Sequence, residues 1–293
     1  MELHFYLKKY QRLIDHTLTI NLPASRKPPV LIHKAMRYSL FAGGKRLRPI
    51  LCLAAAEACG GQSKEALPLA CAVECIHTYS LIHDDLPCMD NDDFRRGKPT
   101  AHKVFGEGIA VLAGDALLTF AFEIAAQCKA WPRYSHATII HEIAQAAGSQ
   151  FLIAGQVMDI ENEGKRISLV TLQKIHENKT AALLRTSLRL GAMSANATTL
   201  QLKRISEFGQ ALGLAFQIID DILDITQTTE QLGKSAGKDI KAKKATYPAL
   251  LGLKKAKQEA DRWTHKAHQA LKPFGKQAKN LSAIADYLLQ RKY

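Results

Sequence analysis

Leu212 to Ile225 reads LGLAFQIIDDILDI, and this stretch decides the fold. Its apolar residues cover more than one face of a helix, so the rod must be surrounded by other helices. Gln217, Asp220 and Asp224 interrupt it at i, i+3 and i+7 and form one polar stripe. Gly213 lies on that stripe and leaves room beside it. Outward from this rod, Ala, Leu and Ile recur at three- and four-residue steps through most of the chain, while alternating strands rich in Val and Thr are absent. The spacing predicts an all-α bundle around a central cavity. Its ten or so helices fall near residues 3–17, 28–42, 48–59, 64–86, 107–128, 134–161, 169–194, 198–228, 246–271 and 279–290.

A second apolar helix, through Ala66 to Ile82, ends in Asp84-Asp85-Leu86-Pro87-Cys88-Met89-Asp90, with Asp92 and Asp93 just beyond. His77, Ser80 and Asp84 repeat the i, i+3, i+7 stripe. Pro87 lacks an N–H and clashes with the preceding turn, so the helix stops there and Asp90 folds back toward Asp84. A lone Asp-Asp pair is usually a cap or a solvated face. Two pairs that both interrupt apolar segments are different, because carboxylates facing one another in a partly desolvated cavity need cations to offset them. All the candidate ligands are oxygens and no His/Cys set of zinc type is present. Magnesium, which binds through a few carboxylates plus substrate phosphates, is the ion this pattern predicts.

The loops between helices carry matching positive charge. Gly43-Gly44-Lys45-Arg46-Leu47-Arg48-Pro49 places three cations on a glycine-flexible turn before a helix, where N–H groups and cations together bind an anion. Arg95-Arg96-Gly97-Lys98 follows the first aspartates, so its arginines can hold a phosphate whose other oxygens face a metal. Lys179, Lys234, Lys238 and Lys244 are further candidates, although with 40 Lys and Arg most single cations are surface charges. Other motifs fail. Gly233-Lys234-Ser235 lacks the P-loop glycine, since Thr228 stands there; His141-Glu142 meets Gln145 where a zinc-protease helix needs histidine; Gly106-Glu107-Gly108 has no third glycine.

The 293 residues are 47% apolar and 23% charged, with no linker or low-complexity run, which predicts one domain over 1–293. A net charge of +13 draws anions: nucleic acid, anionic membrane or phosphorylated small molecules. A nucleic-acid binder would present its cations on one exposed helical face, whereas here they cluster with aspartates. The six cysteines lie in apolar helical context without a CxxC pair, as in a reducing cytoplasm. The first helix lacks a signal-peptide core, and the stretches around Pro49 to Ala58 and Leu212 to Ile225 fall short of the ~20 residues of a membrane span. A soluble, cytoplasmic protein without membrane insertion or nucleic-acid partner is expected.

Gly43 to Pro49 (GGKRLRP), His77 to Thr100 (HTYSLIHDDLPCMDNDDFRRGKPT), Gly155 to Asp159 (GQVMD), Lys179-Thr180, Gln217 to Asp224 (QIIDDILD) and Lys244 to Pro248 (KATYP) together resemble the trans-prenyltransferases. The form with four residues between the first aspartates is similar to bacterial farnesyl diphosphate synthase. The resemblance implies an isoprenoid-synthase-type helical bundle, a homodimer, and Mg²⁺, two or three ions per site. The reaction implied joins isopentenyl diphosphate to dimethylallyl and then geranyl diphosphate, giving farnesyl diphosphate; geranylgeranyl or geranyl diphosphate synthase is the alternative, and a terpene cyclase the remoter one. By the same resemblance Asp84, Asp90 and Asp220 ligate metal, with Asp85, Asp221 and Asp224 as their near neighbours. Arg95, Lys179, Lys234 and Lys244 hold the allylic diphosphate, with Thr180 and Gln217 beside the reacting carbons. Gly44, Lys45, Arg48, His77 and Arg96 bind isopentenyl diphosphate, Gln156 and Asp159 support, and the released diphosphate takes the proton. Tyr79 and Ser80 line the floor under the growing chain, where an aromatic ring stops growth near fifteen carbons. On an ideal helix Tyr79 stands about 140° around from Asp84, so its place there comes from the resemblance alone. Lys238 receives no role.

Overall fold

How the helices pack is visible in the burial along each. The structure, a computed structural model, describes residues 2–226 and 245–289. α1 (Glu2–Asn21) buries Tyr10, Ile14 and Leu18, one face at four-residue steps. α2 (Val30–Leu40) leads to α3 (Leu47–Ala58), which is buried along almost its whole length from Pro49 to Ala58. α4 (Ser63–Asp84) lies beside α3, and a two-stranded hairpin, β1 (Phe94–Arg95) with β2 (Lys98–Pro99), follows its end. Then come α5 (Ala101–Phe105), α6 (Glu107–Ala125), α7 (His136–Ala147), α8 (Leu152–Asn162) and α9 (Leu169–His176). A π-helical turn, Glu177–Ala181, joins α9 to α10 (Ala182–Ser194). α11 (Thr199–Thr226) carries the second aspartate motif, and α12 (Tyr247–Leu251), α13 (Leu253–Leu271) and α14 (Lys279–Leu289) close the bundle.

α10 is the axis: it packs against α3, α4 and α11. Small residues permit this, since a Cβ on Gly191 would stand 1.9 Å from the Cys52 carbonyl oxygen. One hydrophobic cluster runs from Tyr10 to Leu289 through α3, α4, α6, α10, α11 and α13.

The expected helices are present, with four differences. The segment 134–161 is two helices, because Gly148 adopts an extended backbone (ψ −170°) that breaks the rod before α8. The segment 246–271 is broken by Gly252 in the left-handed region, φ 76°. The segment 169–194 contains the π turn. α5 was not foreseen, since a five-residue helix is too short to show a period. One apolar helix is longer than the two stretches weighed in the sequence. Glu107–Ala125 is long and apolar enough to cross a bilayer. In the fold it packs on α4, α2 and α5 and buries Ala113, Leu117, Ala121 and Ile124, while Val111 and Leu112 stay exposed.

Candidate active site

α4 delivers the first aspartates. The helix ends at Asp84, and the Asp90 N–H donates to the Asp84 carbonyl oxygen at 2.8 Å, so the chain after Pro87 does fold back. Arg96 and Gly97, with φ of 54° and 74°, form the two-residue loop of the hairpin, which needs positive φ at both positions. That loop turns Arg95 toward α4. Its Nε donates to both Asp85 carboxylate oxygens at 2.8 Å, and its Nη2 to Oδ1 at 2.6 Å. Burial raises the Asp85 carboxyl, and Arg95 pulls it back. Burial also pushes Asp84 up, to about 6; the charges of Asp90 and Asp85 push the same way, while Lys179 and Arg95 oppose them.

Across from this end, the glycine loop sorts its three cations. Arg46 turns inward: its Nε meets Asp15 at 2.7 Å, its Nη1 meets Glu74 at 2.8 Å, and its Nη2 donates to the Leu40 carbonyl at 2.7 Å. Fully paired, Arg46 holds the loop and is not available to a ligand. The sequence could not separate it from its neighbours, because its partners come from α1 and α4. Arg48 Nη1 lies 3.3 Å from His77 Nε2. Burial lowers Arg48 to about 10 and Arg96 adds repulsion; burial, then Arg48 and Arg96, hold His77 far below its ordinary value. Arg96 donates to the Gly43 carbonyl, and a Cβ on Gly44 would stand 2.6 Å from its guanidinium carbon. Gly44, Arg48, His77 and Arg96 are thus one cationic cluster. Lys45 is exposed, 5.6 Å from the Tyr287 ring centroid.

The π turn supplies the other wall. The extra residue per turn brings Lys179 and Thr180 toward α8 and α11. Lys179 Nζ donates to Asp159 at 2.7 Å, Thr180 Oγ1 to Gln217 at 3.0 Å, and Gln217 Nε2 to Asp221 at 3.3 Å. The Tyr247 N–H donates to the other Asp221 oxygen at 3.0 Å. A cavity opens here, with Asp159, His176, Lys179, Thr180, Gln217 and Asp221 on its wall. The charge of Lys179 also acts on Asp84.

The room expected beside Gly213 is taken by protein: its Cβ would stand 2.5 Å from the Ala181 Cβ, so this glycine seats the π turn. Asp220 is half-buried; Asp224 is buried, with one oxygen lacking a partner among the described residues. Gln156 Oε1 is likewise buried and unpartnered. Tyr79 is buried, its hydroxyl donating to the Ala147 carbonyl at 3.4 Å and its ring edge-on to His83. Ser80 Oγ donates to the His77 carbonyl at 2.9 Å. Lys234, Lys238 and Lys244 lie outside the described residues. His176 and Tyr247 were missed. Their stacked rings flank Asp221, with His176 Nε2 3.9 Å from its Oδ2. The three-residue step from His176 to Lys179 was the signal for the first, and the place of Tyr247 within KATYP the signal for the second.

Carboxylates, paired cations and a π turn at these positions find a match. The sequence model of the polyprenyl synthetase family fits residues 29–286. This chain belongs to the polyprenyl synthetase family. A chloroplastic geranylgeranyl pyrophosphate synthase of Capsicum annuum is 53% identical over 268 residues, covering 90% of this chain and 73% of the relative. A geranylgeranyl pyrophosphate synthetase of Pyrococcus horikoshii superposes with a TM-score of 0.89 at 33% identity, covering 99% of both chains. An FPP/GFPP synthase of Zymomonas mobilis gives 0.86 at 36% identity, covering 98% of this chain and 99% of that one. As a polyprenyl synthetase, the protein is an all-α prenyltransferase of isoprenoid biosynthesis.

Proposed function

We propose that this prenyltransferase condenses isopentenyl diphosphate with dimethylallyl and then geranyl diphosphate, and releases farnesyl diphosphate. The observation that carries this reading is the pair of separate phosphate-ready groups. Arg48, His77 and Arg96 form one, with Glu74, one oxygen of which Arg46 holds, as the nearby acid. Asp84, Asp90, Arg95 and Lys179 form the other. A terpene cyclase binds one diphosphate and has no use for the first group.

Magnesium fits the second group. Among the described residues no three acidic, His or Cys side chains converge into a ready-made cage. Mg²⁺ does not need one, since it binds through one or two carboxylates and completes its shell with water and substrate phosphate. Asp84, held near 6 by burial and by its acidic neighbours, is a carboxylate that a cation would relieve. Asp84, Asp90 and Asp220 are the ligands in this reading, as the family resemblance implies, while Asp85 and Asp221 each spend both oxygens on protein donors. A Mg²⁺ held by these residues would offset the negative charge that grows on the departing diphosphate. Arg95 and Lys179 add donors to the same charge, pre-oriented by Asp85 and Asp159. Thr180 and Gln217, hydrogen-bonded to each other, hold their polar atoms beside the site of bond formation. Lys234 and Lys244 complete the allylic set in this proposal.

Product length follows from Tyr79. Its buried ring reaches from α4 to the Ala147 carbonyl at the end of α7, and in this reading, which takes the position from the family resemblance, it is the floor at fifteen carbons. A second reading, geranylgeranyl diphosphate, is favoured by the names of the Capsicum annuum and Pyrococcus horikoshii relatives. Chromatography after incubation with dimethylallyl and isopentenyl diphosphates and Mg²⁺ tests both. A fifteen-carbon product is expected; a twenty-carbon product selects the second reading, and unconsumed isopentenyl diphosphate defeats both. Tyr79→Ala is expected to lengthen the product by at least one five-carbon unit, and an unchanged product would remove Tyr79 from this role.

The proposal extends to a cytoplasmic homodimer. α6 exposes Val111 and Leu112, and α8 exposes Ile153, Val157 and Ile160 at i, i+4, i+7, a face that a second copy would cover. Sedimentation should give twice the chain mass; a monomer at micromolar concentration would rule this out.

A further inference from the structure

Away from the aspartates, α11 and α13 frame a groove of about 720 Å³. It shares no wall residue with the cavity around Lys179. Gln210 on its wall precedes Asp220 by ten residues, about 15 Å along α11. Four cations face it, Arg185, Arg204, Lys266 and Lys272, against one acid, Glu207, which Arg204 already binds at 2.8 Å. Lys266 and Lys272 carry no ion pair among the described residues; the Lys266 ammonium lies 4.2 Å from the Trp263 ring centroid. Arg185 is the informative one. Its neighbour Arg189 takes both Glu142 oxygens, at 2.6 and 2.9 Å. That leaves Arg185 a Gln210 amide oxygen at 3.4 Å and the face of Phe151. Burial and the charge of Arg189 lower the Arg185 guanidinium, so an anion in the groove would relieve an undercompensated charge. Ala211, Trp263, Ala270 and Pro273 give the same groove an apolar lining.

We propose that this groove is a binding site for a phosphorylated amphiphile, with the phosphate on Arg185, Arg204, Lys266 and Lys272 and the apolar part along Trp263 and Pro273. A bare phosphate would leave the apolar wall unused, and a neutral lipid would leave Arg185, Lys266 and Lys272 without a counter-charge. The ligand is either a free alkyl or prenyl phosphate or the headgroup of an anionic phospholipid. The inference is independent of which product the enzyme makes.

Trp263 reports on the groove directly. The chain has two tryptophans, and the other, Trp131, lies in the α6–α7 connection and bonds the Ser194 carbonyl. In a Trp131→Phe background, titration with dodecyl phosphate below its micellar concentration should shift Trp263 emission saturably. Inorganic phosphate should bind at least about tenfold more weakly. Lys266→Glu with Lys272→Glu should weaken dodecyl phosphate by roughly tenfold or more, while turnover at saturating substrate stays at the wild-type level and certifies the fold. If that pair fails to fold, Lys266→Ala with Lys272→Ala should give a smaller loss in the same direction. Asp84→Asn should leave the titration unchanged, which separates the groove from the reaction site. Phosphatidylglycerol vesicles, with phosphatidylcholine vesicles as control, form the second arm. A shift with vesicles alone assigns a lipid headgroup, and a shift with the monomeric phosphate assigns a free ligand. No saturable shift in either arm, or equal affinity in the charge-reversed chain, overturns the proposal.

Discussion

Asp84→Asn is expected to lower turnover by roughly a thousandfold, the scale seen when one preorganised electrostatic contact to a developing charge is lost, and at the same time to stabilise the ligand-free protein. The two effects have one cause. Burial, with Asp90 and Asp85 close by, raises the Asp84 carboxyl from 3.8 to about 6. The folded state therefore holds this proton more tightly than the unfolded state, and the ionised carboxylate opposes folding. The penalty is complete above about pH 6, fades as pH falls toward 4, and is absent below the unfolded value. Its upper bound is roughly 3 kcal/mol, less what water contact screens. In chelator, melting temperatures of wild type and Asp84→Asn should differ most at pH 7–8, with the variant higher, and should converge below about pH 4. Wild type should recover the difference on adding Mg²⁺ with inorganic diphosphate; the variant should recover little. A variant less stable than wild type at pH 8, or one that retains turnover, would contradict the strained-carboxylate account.

The helical bundle was legible because long apolar helices declare themselves through burial on several faces, as in α3 and α11. The breaks were less legible. Gly148 and Gly252 stop helices through backbone geometry, and each sits within a run whose side chains still have helical spacing. The aspartate stripes could be read because periodicity places Gln217, Asp220 and Asp224 on one face. Which carboxylate is already committed could not, because the donors to Asp85 and Asp221 are Arg95 across a hairpin and the backbone of Tyr247, 26 positions along the chain. Arg46 makes the same point: three cations in GGKRLRP look alike until Asp15 and Glu74 arrive from α1 and α4 to claim one. The hydrophobic period records where a residue points, and long-range pairing decides what it can still do.

The π turn is the least legible part of the site and the most exposed to a single substitution. It stands between α8 and α11 with no slack on either side. A Cβ on Gly155 would lie 2.2 Å from the Lys179 nitrogen and 2.6 Å from its Cα, while a Cβ on Gly213 would lie 2.6 Å from the Ala181 Cα. These contacts are to backbone, which cannot rotate aside, so α8 and the turn must separate by about 1 Å to regain van der Waals distance. Retreat toward α11 is blocked by the Gly213–Ala181 contact. Gly155→Ala should therefore displace Lys179 and Thr180 together, breaking the bonds to Asp159 and Gln217 that orient them. A misplacement of this size costs about a hundredfold in turnover, and overpacking costs about 1–3 kcal/mol in stability. Steady-state kinetics should show the loss chiefly in kcat, since the Arg48–His77–Arg96 cluster is untouched and KM for isopentenyl diphosphate should hold. Glu161→Ala, exposed on the same helix, should change neither quantity. If Gly155→Ala lowers the melting temperature and leaves kcat intact, Lys179 and Thr180 do not act through the position that the π turn gives them.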